Sequence, residues 1–189
     1  MCIRDRSLIV QAGTLKNKRI PMVESLKGHT NFTPALIKKA VFAMIESQVL
    51  SGNLYLEHAI FMDLFSGSGQ MGLEAVSRGF KSAHLFEIDK SRVNFLIKNV
   101  SPLSEKLFIH NKDSFRFFDK TDKGKEEIFV YFIDPPYSFW EAPEKITKLL
   151  QSIHTSNIGS KIYLQSPDEP KQFTNKYNRF GSNYIFEYN

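Results

Sequence analysis

Asp134-Pro135-Pro136-Tyr137 follows an apolar run and combines an acid, a rigid carbonyl and an aromatic ring. Proline has a fixed φ and no N–H, so the Pro135 carbonyl is rigidly held and left unpaired. This carbonyl and the Asp134 carboxylate could grip the N–H bonds of a nucleobase amino group and aim its lone pair at a methyl carbon. Tyr137 could stack on a displaced base. The tetrapeptide predicts methylation of an exocyclic amino group, with four catalytic residues: Asp134, Pro135, Pro136 and Tyr137.

A glycine-rich turn, Gly67-Ser68-Gly69-Gln70-Met71-Gly72, follows another apolar run at residues 60–65. Glycines let the backbone bend sharply and let a ligand approach without a Cβ in the way. The spacing alone is also found in dinucleotide binders and in turns that only connect a strand to a helix. The acids near the turn are therefore needed to identify its ligand.

Three acids lie in or at the ends of the predicted strands around this turn. Asp63 lies inside a strand, where a buried carboxylate needs a partner, and could face the ammonium and sulfonium of S-adenosylmethionine. Glu87 ends the next strand and could accept both hydroxyls of a ribose. Asp113 could contact an adenine amino group, cap the following helix, or do both. Together these acids predict S-adenosylmethionine as the cofactor.

Length and composition predict one globular domain, because 189 residues with 42% hydrophobic side chains can form a single sizeable core. The sequence has no apolar stretch of membrane-spanning length and no apolar region of signal-peptide type, so we expect a cytoplasmic protein without a membrane partner. The single cysteine, Cys2, leaves no disulfide framework, and we expect no metal. Residues 1–7 lack periodicity and are predicted to be a non-native or disordered leader.

The positive charge is concentrated near the N-terminus. Residues 1–40 carry a balance of +6, whereas the remaining 149 residues carry −1. A localised basic segment suits a polyanion, because neutralising phosphates drives association, although a solvated surface explains the charge equally well. The predicted RNA-binding residues are Lys16, Lys18, Arg19, Lys27 and Lys38.

From residue 58 onward, strands and helices alternate, which predicts a mostly parallel sheet covered by helices on both faces. The predicted strands are Ile60–Phe65, Ala83–Ile88, Lys106–His110, Ile128–Ile133, Lys161–Leu164 and a closing hairpin over Tyr177–Asn189, which makes seven strands with an antiparallel last one. The predicted helices are Gly69–Arg78, Lys90–Val100, Asp113–Phe118 and Pro143–Ile153. Residues 8–50 predict a basic hairpin and a helix with Thr33 as N-cap and Pro34 at its first position. The predicted domain is 8–189, with its catalytic core at 58–189.

With these features the chain resembles class I S-adenosylmethionine methyltransferases, and more specifically the bacterial 16S ribosomal RNA guanine-N2 methyltransferases of the RsmD type. The resemblance runs from Leu8 to Asn189 and includes the segment Asp63–Glu74, Glu87, Asp113 and the Asp-Pro-Pro-Tyr exit. It implies a Rossmann-like fold with an N-terminal extension, and methylation of guanine N2 in ribosomal RNA of the small subunit or its precursor. We expect a monomer. The predicted cofactor-binding residues are Asp63, Phe65, Gly67, Ser68, Gly69, Glu87, Ile88, Asp113, Ser114 and Asp134.

Several alternatives remain open at this point. Asp-Pro-Pro-Tyr also occurs in adenine-N6 and cytosine-N4 methyltransferases, so the choice of guanine depends on the resemblance alone. An NAD-dependent oxidoreductase would share the glycine turn and Glu87, but would not explain Asp63 or the tetrapeptide. A non-catalytic ribosome-assembly factor would leave the acceptor pocket unused. The family usually has an Arg-Pro-Thr-rich lead into the first helix, whereas this chain has His29-Thr30-Asn31-Phe32-Thr33-Pro34, which leaves RNA contacts in this segment open.

Overall fold

The computed structural model describes residues 8–21, 33–117, 127–174 and 176–188. The strands are β1 (Leu8–Ile9), β2 (Arg19–Ile20), β3 (Ala59–Asp63), β4 (Ser82–Glu87), β5 (Leu107–Asn111), β6 (Ile128–Ile133), β7 (Lys161–Ser166), β8 (Asn178–Phe180) and β9 (Asn183–Tyr188). The α-helices are α1 (Ala35–Leu50), α2 (Gln70–Ser77), α3 (Lys90–Asn99), α4 (Ser114–Phe117) and α5 (Glu144–Ser156). None of the helices within these ranges is long and apolar enough to span a membrane.

Seven strands form one sheet in the order β5-β4-β3-β6-β7-β9-β8. Strands β3 to β7 pair parallel with one another, whereas β9 pairs antiparallel with both β7 and β8. The predicted seven-stranded, mostly parallel sheet with a class I Rossmann-like fold is confirmed. Strands β4 and β5 lie on one side of β3, and the chain then crosses to the other side, where β6 and β7 follow. Open α/β sheets bind ligands at such a switch point, so the carboxyl ends of β3, β4 and β6 frame the expected site.

The central strands are apolar because helices cover both of their faces. Phe61 and Met62 are neighbours on β3 and point to opposite sides, so each belongs to a different core. Phe61 packs in the cluster that contains Val41 of α1 and Leu96 of α3. Met62 packs in the cluster that contains Leu149 of α5. Residues on both faces of the sheet therefore keep the strand ends in place.

The predicted first helix is wrong at its start. Thr33 is not an N-cap, because α1 begins at Ala35 with Pro34 in the capping position and without a side-chain cap. The Thr33 hydroxyl instead donates to the Asp134 carboxylate over 3.1 Å. Proline at the cap position leaves α1 to be held by tertiary contacts rather than by a local cap. The structure thus places Thr33 beside the predicted catalytic segment.

Lys38 was predicted to bind RNA, and the structure contradicts this. Its side chain is only 2% exposed and forms an ion pair of 3.1 Å with the fully buried Glu74 of α2. Its ammonium also donates to the Ile9 carbonyl over 2.8 Å. Burial lowers the pKa of Lys38 below its ordinary value, and the charge of Glu74 opposes this shift. Lys38 therefore joins the N-terminal hairpin to the sheet domain, because α1 brings it inward rather than outward.

Glu74 also anchors the hairpin through the backbone. Its two carboxylate oxygens accept the N–H groups of Gln11 and Ala12 over 2.7 and 3.0 Å, and Arg78 adds a second cation at 2.9 Å. The adjoining Ser77 carbonyl accepts the Thr14 N–H. Helix α2 directly follows the glycine turn, so the hairpin is docked on the helix that this turn begins.

Candidate active site

A cavity of about 590 Å³ opens at the carboxyl ends of β3, β4, β5 and β6. Parallel strands bring their ends to one edge, so residues far apart in sequence meet there. Of the predicted site residues, those that line it are Phe65, Gly67, Glu87, Ile88, Asp113, Ser114, Asp134 and Pro136. The cavity therefore brings together residues predicted to bind the cofactor and residues predicted to bind the acceptor amino group.

The glycine turn contributes to the cavity mainly through Gly67, which lines it with a φ of 48°. Gly69 has a φ of 75°, and a Cβ there would lie 2.7 Å from a Leu96 methyl carbon. A Cβ on Gly72 would lie 2.6 Å from Leu85. The positive φ of Gly69 and the short approaches at Gly69 and Gly72 favour glycine where α2 packs on its neighbours, whereas Gly67 is the glycine of the turn that lines the cavity. Ser68 is buried in the turn and does not line the cavity.

Asp63 is a buried acid without an internal partner. Its side chain is 1% exposed, and neither carboxylate oxygen has a hydrogen-bond partner among the described residues. Burial, followed by the charge of Asp134, raises the pKa of Asp63 to about 8, while the backbone amides of Phe65 and Gly72 oppose the shift without reaching full hydrogen-bond geometry. An unpaired buried carboxylate is costly, so this position favours a cationic group from outside the chain.

Glu87 is held in place at the end of β4 by the backbone. Its two oxygens accept the Gly67 N–H over 3.2 Å and the Asp89 N–H over 2.9 Å, and Arg92 lies 3.8 Å away. One carboxylate therefore connects the glycine turn of β3 to the end of β4. Each carboxylate oxygen has a further lone pair that could accept a hydroxyl from a ligand in the cavity.

Residues after β5 form the far wall. Asp113 caps α4, since its Oδ1 accepts the Phe115 N–H over 3.0 Å, and it also lines the cavity. The predicted cap is confirmed, and its role as a ligand-binding residue stays a prediction. The Ser114 hydroxyl donates to the Leu64 carbonyl, which joins α4 to the end of β3. Ile88 is exposed and faces the cavity mouth.

Asp134 reaches the cavity from the end of β6. Burial raises its pKa to about 6, and the hydrogen bond from Thr33 acts in the opposite direction. Pro135 is buried, and none of the described residues donates a hydrogen bond to its carbonyl. Tyr137 is 60% exposed and lies outside the cavity lining. The structure therefore brings Asp134 and Pro136 to the cavity, whereas the predicted stacking by Tyr137 stays untested.

Sequence reasoning missed the aromatic wall of the cavity. Phe65, Phe115 and Phe139 contact one another with ring centroids 4.8 to 6.4 Å apart, and all three line the cavity. Only Phe65 had been predicted. Phe139 lies five positions after Asp134 and has no motif of its own, so only its closeness to the tetrapeptide could have suggested it.

The predicted RNA-binding residues differ in their placement. Lys16, Lys18 and Arg19 lie exposed on the hairpin and its second strand, as a surface contact requires. Lys27 lies outside the described residues. Lys38 is buried, as shown above. Within the ranges described, no group of three or more His, Cys, Asp or Glu side chains could hold a metal ion.

The strand order, the glycine turn after β3 and the acid that ends β4 together define the class I methyltransferase fold. Comparison with solved structures agrees with this assignment. A hypothetical protein from Thermus thermophilus superposes with a TM-score of 0.72 at 22% identity, covering 96% of this chain and 98% of that one. An RNA methyltransferase from Salinibacter ruber, solved in complex with S-adenosyl-L-homocysteine, has a TM-score of 0.59 at 15% identity, covering 83% and 92%.

Residues 8–182 match the family model described as Conserved hypothetical protein 95. The chain belongs to this family, that of the RsmD-type methyltransferases. A ribosomal RNA small subunit methyltransferase D from Buchnera aphidicola is 28% identical over 162 residues, 84% of this chain and 76% of its own length. The protein of the same name from Haemophilus influenzae is 35% identical over 101 residues, 52% of each chain.

Proposed function

We propose that the protein transfers a methyl group from S-adenosylmethionine to the exocyclic N2 amino group of a guanine in small-subunit (16S) ribosomal RNA. The observation that carries the proposal is a cavity lined by the half-buried Asp134 at the end of β6. The buried Asp63 lies close to Asp134, behind the glycine turn, and neither acid forms an ion pair with a described residue. One acid suits a cationic cofactor, and the other suits an amino group.

The residues present fit the cofactor. The orphaned Asp63 carboxylate favours a ligand that carries positive charge. Gly67 lines the cavity without a side chain, and Glu87 offers two oxygens to ribose hydroxyls. Asp113, Ser114, Ile88 and Phe65 would enclose the adenine end. When bound, S-adenosylmethionine supplies a methyl group activated by its sulfonium.

Asp134 acts on the acceptor nitrogen. Its carboxylate accepts one N–H of the amino group and the Pro135 carbonyl accepts the other, which favours a pyramidal nitrogen with its lone pair directed at the methyl carbon. As the N–C bond forms, the S–C bond breaks and its electron pair stays on sulfur. The nitrogen then carries an extra proton, which Asp134 can accept before water removes it. Because the methyl donor is already activated, positioning supplies most of the rate.

The RNA substrate is supported by charge and by relatives. The relatives from Buchnera and Haemophilus are named as small-subunit ribosomal RNA methyltransferases, and Lys16, Lys18 and Arg19 expose positive charge on the docked hairpin. Only 46 residues separate Glu87 from Asp134, which is too short for a target-recognition region of the kind that DNA adenine methyltransferases commonly insert.

Adenine-N6 or cytosine-N4 methylation is the second candidate, because Asp-Pro-Pro-Tyr suits any of these amino groups. The test is to incubate the protein with labelled S-adenosylmethionine and undermethylated small subunits, and to map the product by mass spectrometry. We expect label on one guanine N2, and none with Asp134→Ala. Label on an adenine or cytosine would mean that the target base is not guanine. If the enzyme binds the cofactor but transfers no label to RNA, the proposal is overturned.

A further inference from the structure

The cavity has a positively charged edge that the near-neutral charge of residues 41–189 does not reveal. Five cationic side chains line it from three helices and one strand end: Arg92, Lys112, Arg116, Lys145 and Lys148. Four carboxylates line the same cavity, namely Glu87, Asp89, Asp113 and Asp134. Tertiary structure thus gathers cations that are scattered over 57 positions of the sequence.

These cations are not equally engaged. Arg92 lies 3.8 Å from Glu87 and is three-quarters buried, so it belongs to the cofactor side. Lys145 and Lys148 are exposed and form no ion pair with a described residue. They are three positions apart on α5 and therefore lie on one face of the helix. Arg116 is 87% exposed, so its 3.5 Å contact with Asp113 is weak and easily exchanged.

We propose that Lys145 and Lys148 on α5, with Arg116 on α4, form a phosphate-binding edge that holds the RNA strand carrying the target base. The inference rests on the proposed function. A base that enters a cavity brings its flanking phosphates to the rim, and unpaired lysines at the rim neutralise them. Lys145 also lies 5.9 Å from the centre of the Phe139 ring, which keeps its ammonium at the mouth.

The test measures binding of a small-subunit RNA transcript against salt concentration for Lys145→Gln/Lys148→Gln. Loss of two phosphate contacts should reduce the slope of log K against log salt by about 1.4, with cofactor affinity unchanged. Lys98→Gln/Lys106→Gln is the matched control, since it removes the same charge at exposed positions away from the cavity. An unchanged slope, or an equal loss in the control, overturns the phosphate-binding edge. If the wild type does not bind or methylate RNA, the proposed function itself fails.

A second, independent observation concerns Thr33, which is buried between the two halves of the site. Its hydroxyl donates to Asp134 over 3.1 Å, and its carbonyl accepts the Gln70 side-chain amide over 2.7 Å. Gln70 is the first residue of α2 and belongs to the glycine-rich segment Gly67–Gly72. A continuous chain of hydrogen bonds therefore runs from the cofactor turn through the N-terminal extension to the acceptor acid.

We infer that Thr33 is a positioning residue, which fixes the orientation of the Asp134 carboxylate toward the acceptor amino group and, with Gln70, ties it to the glycine turn. A hydrogen bond to a carboxylate favours its charged form, and the bond from Thr33 does lower the pKa of Asp134 against the effect of burial. Asp63 lies close enough to Asp134 for their charges to interact. The charged side chains that line the cavity together with Asp134 are Glu87, Asp89, Arg92, Lys112, Asp113, Arg116, Lys145 and Lys148.

The test titrates carboxyl-labelled aspartates by NMR in the ligand-free protein, and so needs no RNA. Thr33→Val should raise the pKa of Asp134, whereas Thr33→Ser should restore it. In methyl transfer, Thr33→Val should lower kcat about tenfold with KM for the cofactor unchanged, and should move the acid limb of the pH profile upward. Thr155→Val, which removes an exposed hydroxyl bonded only to backbone, is the control. If Thr33→Val leaves the titration of Asp134 unchanged in a folded protein, the positioning role is excluded.

Discussion

Two regions of this molecule contain a buried carboxylate, and the carboxylate has partners in one region and none among the described residues in the other. Glu74 at the hairpin junction meets Lys38, Arg78 and two backbone N–H groups. Asp63, one element earlier, meets no cation and no well-formed hydrogen bond in the described structure. Both are almost fully inaccessible. The comparison teaches that a buried charge neutralised by its own chain supports architecture, whereas one left unneutralised beside a cavity indicates a ligand.

The largest effect is expected from the acceptor side of the cavity. Asp134→Ala removes the acid that grips the amino group and should lower kcat by about 10³-fold. Binding of S-adenosylmethionine, measured by calorimetry, should stay within a few fold. Asp168→Ala, an exposed acid away from the cavity, should keep wild-type turnover. Near-normal turnover in Asp134→Ala would rule out the amino-gripping mechanism.

The hairpin junction should respond through stability. Glu74→Ala leaves Lys38 buried without its carboxylate and orphans two backbone N–H groups, so the free energy of unfolding should fall by about 3–5 kcal/mol. Chemical denaturation checks this. Glu46→Ala is the control, because Glu46 contacts the same Arg78 from an exposed position. A loss below about 1 kcal/mol in Glu74→Ala would mean that the junction does not depend on this ion pair.

The Asp63 charge should destabilise the folded protein, whereas the Glu74 charge stabilises it, because Asp63 has no partner among the described residues. Its pKa rises from 3.8 to about 8 on folding, so the folded state binds the extra proton between these values. The ligand-free protein should lose stability as pH rises from about 4 to 8, and Asp63→Asn should flatten this dependence. Thermal melting across this range provides the measurement.

The same variant should weaken S-adenosylmethionine binding by about tenfold or more, because the ligand loses a buried counter-charge. Calorimetry checks this, and Asp168→Asn serves again as a surface control. If Asp63→Asn destabilises the ligand-free protein at pH 8 as Glu74→Ala does, the contrast between the two regions disappears.

The smallest effect is expected from the exposed hairpin. Neutralising Lys16, Lys18 and Arg19 to glutamine should weaken RNA binding several-fold and reduce its salt slope by up to about 2. Lys98, Lys106 and Lys176 offer a matched triple control at exposed positions. An unchanged slope would mean that the hairpin charge is only solvated surface, and that RNA contacts lie at the cavity edge.

Much of the fold followed from pattern. Ile128–Ile133 is apolar throughout, and β6 has these bounds, because a strand covered on both faces needs no polar side. The predicted helices of the sheet domain matched to within a few residues because their apolar side chains recur at helical spacing. The start of α1 was wrong because Thr33-Pro34 also satisfies a local capping rule, and only the neighbouring Asp134 shows that the hydroxyl is used elsewhere.

Some residues of the candidate site were likewise predictable from the sequence, and others were not. Glycines and acids at strand ends were predictable, since parallel strands place their carboxyl ends together, and Glu87, Asp113 and Asp134 do line one cavity. Lys38 was misplaced because a lysine next to other basic residues resembles surface charge, and its partner Glu74 lies 36 positions away. Phe139 and the lysines of α5 have no local signature at all.

The sequence by itself determined the chemistry that this protein offers, because an acid, two prolines and a glycine turn have local properties that persist in any fold that exposes them. It also determined the alternation of strands and helices. Only the tertiary structure decided which charged side chains are neutralised by partners in the chain and which are left to interact with a ligand. That distinction depends on burial and on partners distant in sequence. Glu74 has a cationic partner and Asp63 has none in the described part of the chain, and Lys38 is buried whereas Lys145 is exposed.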